Sequence, residues 1–328
     1  MNEGIRPELT RKSGFLKVTM QLFGIAMFVL AIVYFMRKYS ADISSLQYLS
    51  LPDIFLIGAW SFVSYGAYAY TVYVVFVDLG LKGLGLFGWL RIYLVSRLVN
   101  FLVTQGGNLY RLILLKKKYN FSYTNSIGVT TFLVWINALI ALMASAYFLA
   151  GFERKLYLHG VSLLSWSVLA LVMLLLGPLL IVRSIQSFRR SSIWQSRALR
   201  PFANIADFFT ASLKNGRLLA RLTILSAIHF CFFVGVNYFS FQAIDQPVDL
   251  AIVCIFTTAF VFTRYVNVVP GNIGLSELVG GLVSEQMGVG FGNGLLVSGI
   301  VRIVEVIMIL LIGLIYGQFM VFNYFARR

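Results

Sequence analysis

The chain has 328 residues, 59% of them apolar and only 12% charged, and a formal net charge of +15. A soluble domain is about 45–50% apolar and about 25% charged, so one water-soluble core could not bury this surface. A soluble enzyme and an isolated nucleic-acid module are thereby excluded. An all-α, polytopic membrane helical bundle fits, its basic excess gathered on the cytoplasmic face against anionic lipid heads.

In chain order, Arg6, Arg11, Lys12 and Lys17 flank an apolar stretch at about 15–36. It is too long for a secretory signal and lacks a small-residue cleavage site, so it reads as a retained anchor. A second span is expected at 53–77. Residues 84–103 are apolar but end in a break, QGG at 105–107, followed by only a short apolar piece at 108–115. Spans are expected at 124–149 and 161–182, then a basic segment at 183–217, then a span at 218–244. Residues 250–268 end in a second break, PGN at 270–272, with a short piece at 275–287 before the last span at 295–322. The two short pieces reach roughly 12–20 Å at 1.5 Å per residue, against a bilayer core of about 30 Å. Each pair therefore reads as a re-entrant hairpin, 84–115 entering from the cytoplasm and 250–287 from outside.

Charge supports this arrangement of six full spans and two hairpins. It puts 19 basic residues and both termini inside, 4 outside (Arg37, Lys38, Arg154, Lys155), and 4 at membrane depth. A full crossing by 84–103 would place the basic cluster of 183–221 outside. Residues 1–150 then read span, span, hairpin, span, and residues 151–328 repeat that order upside down. Inverted repeats with paired broken helices are the architecture of secondary transporters, with a site near the midplane where the halves meet.

The charges at depth are Arg97, Arg111, Arg264, Arg302, Glu277, Glu285 and Glu305. Such groups face a wet cavity, pair with one another or bind something. Arg302 and Glu305, spaced i, i+3, could satisfy each other on one helix face. Glu277 opens a half-helix, where it either favours the dipole or meets a cation, a proton or a substrate group. Arg111 follows the first break by four residues, where an Arg fork and free N–H groups of a helix start suit a phosphate; snorkelling to the interface is the alternative. Arg97 and Arg264 precede their breaks in equivalent places and are expected to line one cavity. Asn100, Asn108, Asn267 and Asn272 offer amide contacts to a ligand or to exposed backbone at the breaks.

Other signals are weaker. Phe202, Ile205, Phe209 and Leu213 share one face of an expected interfacial helix at 201–213. GVGFGNG at 288–294 reads as a flexible outer connector, and His229 as a packed histidine. Cys231 and Cys254 have no partner motif, and no metal site or cofactor is expected.

QGGNLYR with the following LLKKKYNFSYTNSIG, and VVPGNIGLSELVGGLVSEQMGVG with GIVRIVE, resemble the two motifs of a known family over roughly residues 15–322. That family is the lysylphosphatidylglycerol synthase transmembrane region, also found as stand-alone flippase-like proteins. The resemblance places Gly106, Gly107, Arg111, Pro270, Gly271, Gly274, Glu277 and Arg302 at motif positions. Gln105 stands where Pro is common in that family, and Asn272 where a second Gly is usual. What it implies is movement of a charged or glycosylated lipid between leaflets, in a stand-alone member without the soluble domain, hence without lysyl transfer.

The leading expectation is a flippase or transporter of the plasma membrane for an anionic, aminoacylated or polyprenyl-phosphate-linked lipid, not an enzyme. Arg97, Arg111, Arg264, Glu277, Arg302, Glu305, Asn108 and Asn267 are its expected binding residues. A membrane-embedded lipid-modifying transferase is the second reading, although neither histidine lies near a carboxylate in sequence. The third is an accessory subunit that binds a glycosyltransferase through the basic 183–221 stretch, whose charge topology alone also explains.

Overall fold

The computed structural model describes residues 44–103, 105–151, 157–158, 160–188, 200–266 and 274–325. Its elements are almost all helical. After a 3-10 turn at Ser44–Tyr48 come α1 (Leu51–Asp78), α2 (Leu86–Leu102), α3 (Gly106–Tyr119), α4 (Tyr123–Gly151), α5 (Leu163–Phe188), α6 (Arg200–Lys214), α7 (Gly216–Gln242), α8 (Leu250–Thr263), α9 (Leu275–Gln286) and α10 (Phe291–Phe325). Among the described residues, the strand pairing is confined to Tyr157–Leu158 against Val161–Ser162, between α4 and α5.

Four described helices are long and apolar enough to cross a membrane: Tyr123–Gly151, Leu163–Ser184, Gly216–Gln242 and Phe291–Leu311. They coincide with four of the expected spans, and the chain is a multi-pass membrane protein. The stretch at 53–77 forms α1, which is as long at 28 residues. Its Ser61, Ser64, Tyr65 and Tyr68 interrupt its apolar run. The anchor expected at 15–36 lies outside the described residues.

Local sequence explains where helices start and what they dock on. Ser50 and Asp53 form a capping box on α1, the Asp53 carboxylate accepting from the Ser50 N–H at 3.1 Å. Trp89 is fully buried and its indole N–H donates to the Ala69 carbonyl at 2.8 Å, clamping α2 to α1. Pro178 inside α5 has no N–H for the carbonyl of Leu174, four residues before it. The indole of Trp135 on α4 supplies that bond at 2.7 Å, so the carbonyl freed by the proline is not left unpaired among apolar helices. Much of the rest of α5 is exposed apolar side chain, as a lipid-facing helix requires.

The long-range packing is reciprocal. Helices α1 and α7 lie along each other, with Trp60 packed over Gly235. Helix α4 rests on α7 and α8, while α10 rests on α1 and α2. One pairing departs from this reciprocity: α9 packs closely along α10, whereas α3 barely touches α4. That closeness comes from small residues. A Cβ on Gly280 or Gly294 would collide with Ser298 or Ser284 of the facing helix.

Two expectations are corrected. The GVGFGNG run is no flexible connector: Gly288 and Gly290 take positive φ and turn the chain, and α10 starts at Phe291, which is buried. The 201–213 helix exists, but its docked face is Ala203, Ala206, Phe209 and Ser212, leaving Phe202 exposed. Phe209 packs edge-on against Phe132 and Trp135 of α4. The small alanines let α6 sit close against its neighbours, and packing area outweighed the bulk of Phe202.

Candidate functional site

A cavity of about 390 Å³ lies between α1, α2, α3, α4, α7, α10 and the end of α8. Arg97, Arg111, Arg264, Arg302, Glu305 and Asn108 all line it. Four arginines expected from separate stretches of sequence thus share one space.

The first helix break builds one wall. The chain leaves α2 at Val103 and re-enters α3 through Gln105, which takes a left-handed conformation (φ 62°). Proline cannot adopt that angle, so the departure from the Pro common in the resembling family has a structural reason. Gly107 then brings α3 so close to α2 that a Cβ would overlap the Ser96 carbonyl. The approach puts Asn100 over the start of α3, where its carbonyl oxygen accepts from the N–H groups of Gly107 (2.8 Å) and Asn108 (3.2 Å). The Gly106 and Leu109 N–H groups donate to the carbonyls of Val103 and Gln105. The four N–H groups expected to hold an anion are therefore already bonded, and the helix start is capped rather than open. Anion affinity on this wall belongs to side chains alone.

Those side chains are Arg97 and Arg111. Arg111 is 9% exposed and donates to the Asn108 side-chain oxygen at 3.2 Å, which excludes the snorkelling alternative. Arg97 donates to the Tyr65 hydroxyl at 3.0 Å and lies over the same ring, while its Nε is buried with no hydrogen-bond partner. Among the described residues neither arginine has a carboxylate within ion-pair distance.

The opposite wall differs. Arg264, just past α8, pairs with Glu305 of α10 and covers the face of Phe233 at 4.1 Å. Arg302 donates from Nε to Glu277 at 3.0 Å and from Nη2 to the Ser276 hydroxyl at 3.0 Å. Glu277 also accepts from the Gly274 N–H at 2.7 Å, so the helix-start role and the charge-partner role hold together. The i, i+3 contact between Arg302 and Glu305 is present but long, at 3.8 Å. Sequence spacing favoured that intrahelical pair, yet the closer partners come from across the helix interface. Glu277 sits behind Arg302 rather than on the cavity surface. Glu285 stays apart: it lies exposed at the end of α9, one residue before the helix stops. Asn267, Pro270, Gly271 and Asn272 lie outside the described residues. Gly106 and Gly107 open α3, and Gly274 precedes α9 with φ 90°.

Several lining residues escaped the sequence reading. Ser61, Ser64, Tyr65 and Tyr68 form one face of α1. Their spacing is a polar stripe at helical period inside an apolar run, and that was the available signal. His229 is packed as expected: its ring stacks on Phe233, and Nδ1–H donates to the Ser64 carbonyl at 3.1 Å.

Residues 21–313 match the family model for the lysylphosphatidylglycerol synthase TM region. The chain belongs to that family. In this member of the synthase TM region family, the first motif forms the α2–α3 break that lines the cavity, and of the second motif Arg302 lines it and Glu277 stands behind Arg302. No curated protein and no solved structure matches the chain.

Proposed function

We propose that the chain is a lipid transporter of the plasma membrane, moving a lipid with a charged head group between leaflets. The observation that carries this is the cavity itself: four arginines and the Glu305 carboxylate on its surface, with Glu277 behind Arg302, among apolar helices where uncompensated charge is expensive. Such an investment supports a polar cargo. The reciprocal packing of α4 on α8 and α10 on α2 supports an inverted repeat of residues 1–150 and 151–328. Helices α3 and α9, 14 and 12 residues long, extend roughly 18–21 Å, which supports re-entrant hairpins at 84–115 and 250–287 rather than full crossings. In this arrangement α1 and the anchor at 15–36 complete six spans, and both termini are cytoplasmic.

An embedded transferase is the second reading, and the contact that would favour it is Ser64 Oγ with His229 Nδ1 at 3.3 Å. That nitrogen also faces the Ser64 carbonyl, which has no proton to give, so Nδ1 carries the hydrogen and cannot take one from the hydroxyl. The geometry is that of a packed histidine, and no chemistry is assigned to it.

The test is purified protein in liposomes, with leaflet exchange and chemical conversion followed in one sample. The lipids are an anionic phospholipid, a lysylated one and a polyprenyl-phosphate sugar. Exchange without conversion, lost in Arg111→Ala or Glu277→Gln, is the expected result. Conversion would replace the transporter with an enzyme.

A further inference from the structure

Four arginines and one carboxylate, Glu305, line the cavity; even with Glu277, which stands behind Arg302, counted in, the formal excess is +2, and it is not evenly spread. Both carboxylates stand on the α9–α10 side and both are committed. Glu305 is held by Arg264 and, at longer range, by Arg302. Glu277 is held by Arg302 and the Gly274 N–H. On the α2–α3 side stand Arg97 and Arg111, paired with no carboxylate among the described residues. Of the five donors on a guanidinium, Arg111 spends one on Asn108, and the buried Nε of Arg97 has no partner. A guanidinium cannot shed its proton to escape burial. The ligand that suits this wall is therefore an anion rich in acceptors.

We infer that the cavity takes a lipid whose head group bears phosphate and no amine, with Arg97 and Arg111 holding the phosphate, and that it discriminates against a head group carrying an ammonium. An ammonium entering the cavity meets net positive charge, and it reaches the one carboxylate on the surface, Glu305, only in exchange or competition with Arg264 and Arg302. Desolvated charges left without partners make that exchange unfavourable. A phosphate needs no such rearrangement, because its two arginines are waiting and planar guanidinium forks match its oxygens. The inference rests on the lipid-transport reading, whose cargo class it narrows.

The matched probes are short-chain phosphatidylglycerol and its lysyl ester, titrated by calorimetry into detergent-solubilised protein, with inorganic phosphate as a third ligand. Phosphatidylglycerol should bind at least roughly tenfold tighter than the ester. Arg97→Met and Arg111→Met should each weaken it by roughly tenfold to a hundredfold, the size of charge-assisted hydrogen bonds lost. Arg111→Lys retains charge without the fork and should fall between, which separates recognition from misfolding. Three results overturn the inference: equal or tighter binding of the ester, unchanged affinity in the arginine variants, or no binding by folded protein. Inorganic phosphate binding as tightly as the lipid would also overturn it, by making this a free-anion site. Leaflet exchange measured separately keeps the two readings apart. Exchange of the lysylated lipid alone preserves the transporter and removes the inference. Tight binding of phosphatidylglycerol without exchange does the reverse.

Discussion

The two helix breaks solve one problem in different ways. Each brings arginines into the same cavity and caps a half-helix that starts among apolar neighbours. The second break does both with carboxylates: Glu277 caps α9 and pairs Arg302, while Glu305 pairs Arg264. The first break does both with amides and a phenol: Asn100 caps α3, Asn108 accepts from Arg111, and Tyr65 accepts from Arg97. An amide completes a hydrogen bond but cancels no charge. The difference teaches that the arginines of one wall have carboxylates within ion-pair distance, while those of the other are hydrogen-bonded without a carboxylate so placed among the described residues.

Substitutions can break that comparison, and the largest expected effect is at Glu305. Glu305→Gln leaves Arg264 without its carboxylate, in a position where Glu305 is only 6% exposed, while Arg302 keeps Glu277. A loss of about 3 kcal/mol is expected, at the low end of the range for an uncompensated buried charge because Arg264 is part-exposed. Thermal unfolding of purified protein in detergent measures it, and an unchanged midpoint would mean the second wall is not closed by ion pairs.

Next comes the geometry of the breaks. Gly107→Ala drives a methyl into the Ser96 carbonyl and should cost about 2 kcal/mol by forcing α3 away from α2. Gly274→Ala meets a different obstacle, its φ of 90°, and should cost about 1–2 kcal/mol. Equal lipid transport in wild type and Gly107→Ala would show that the close approach of α2 and α3 is dispensable.

Asn100→Ala removes the shared acceptor of two N–H groups at the start of α3, for about 1 kcal/mol. Its second consequence sharpens the comparison. Freed N–H groups beside Arg111 should strengthen binding of an anionic head group, so stability and affinity move in opposite directions; a joint fall in both would argue against this.

The smallest stability effect is expected at Arg111→Met. The arginine has no ion-pair partner to orphan among the described residues, so unfolding should shift by less than about 1 kcal/mol. Transport should nonetheless be lost. Set beside Glu305→Gln, this pair separates the expected loss of proposed transport from the expected loss of stability.

Much of the architecture was legible along the chain. The apolar runs that became α4, α5, α7 and α10, and the glycines that interrupt α2–α3, are local properties that hydropathy and backbone freedom reveal directly. The membership of Arg97 and Arg264 in one cavity followed from their equivalent places before the breaks. Other contacts were hidden because they depend on neighbours distant in sequence. Arg302 and Glu305 invited an intrahelical pairing, and only the placement of α9 and the end of α8 brought Glu277 and Arg264 in closer. The start of α3 looked open to an anion until Asn100, seven residues upstream, was folded over it. Trp135 gave no sign that its indole completes the helix that Pro178 interrupts, because the two residues lie on different helices.

By itself, then, the sequence determined that this is a multi-pass helical membrane protein with charged residues stranded in apolar segments. The cost of burying charge and backbone is paid residue by residue and leaves its mark on composition. Only the tertiary structure decided which of those charges are neutralised. Ion pairing falls off within a few ångströms, and the distances that matter here are those between packed helices, not those along the chain.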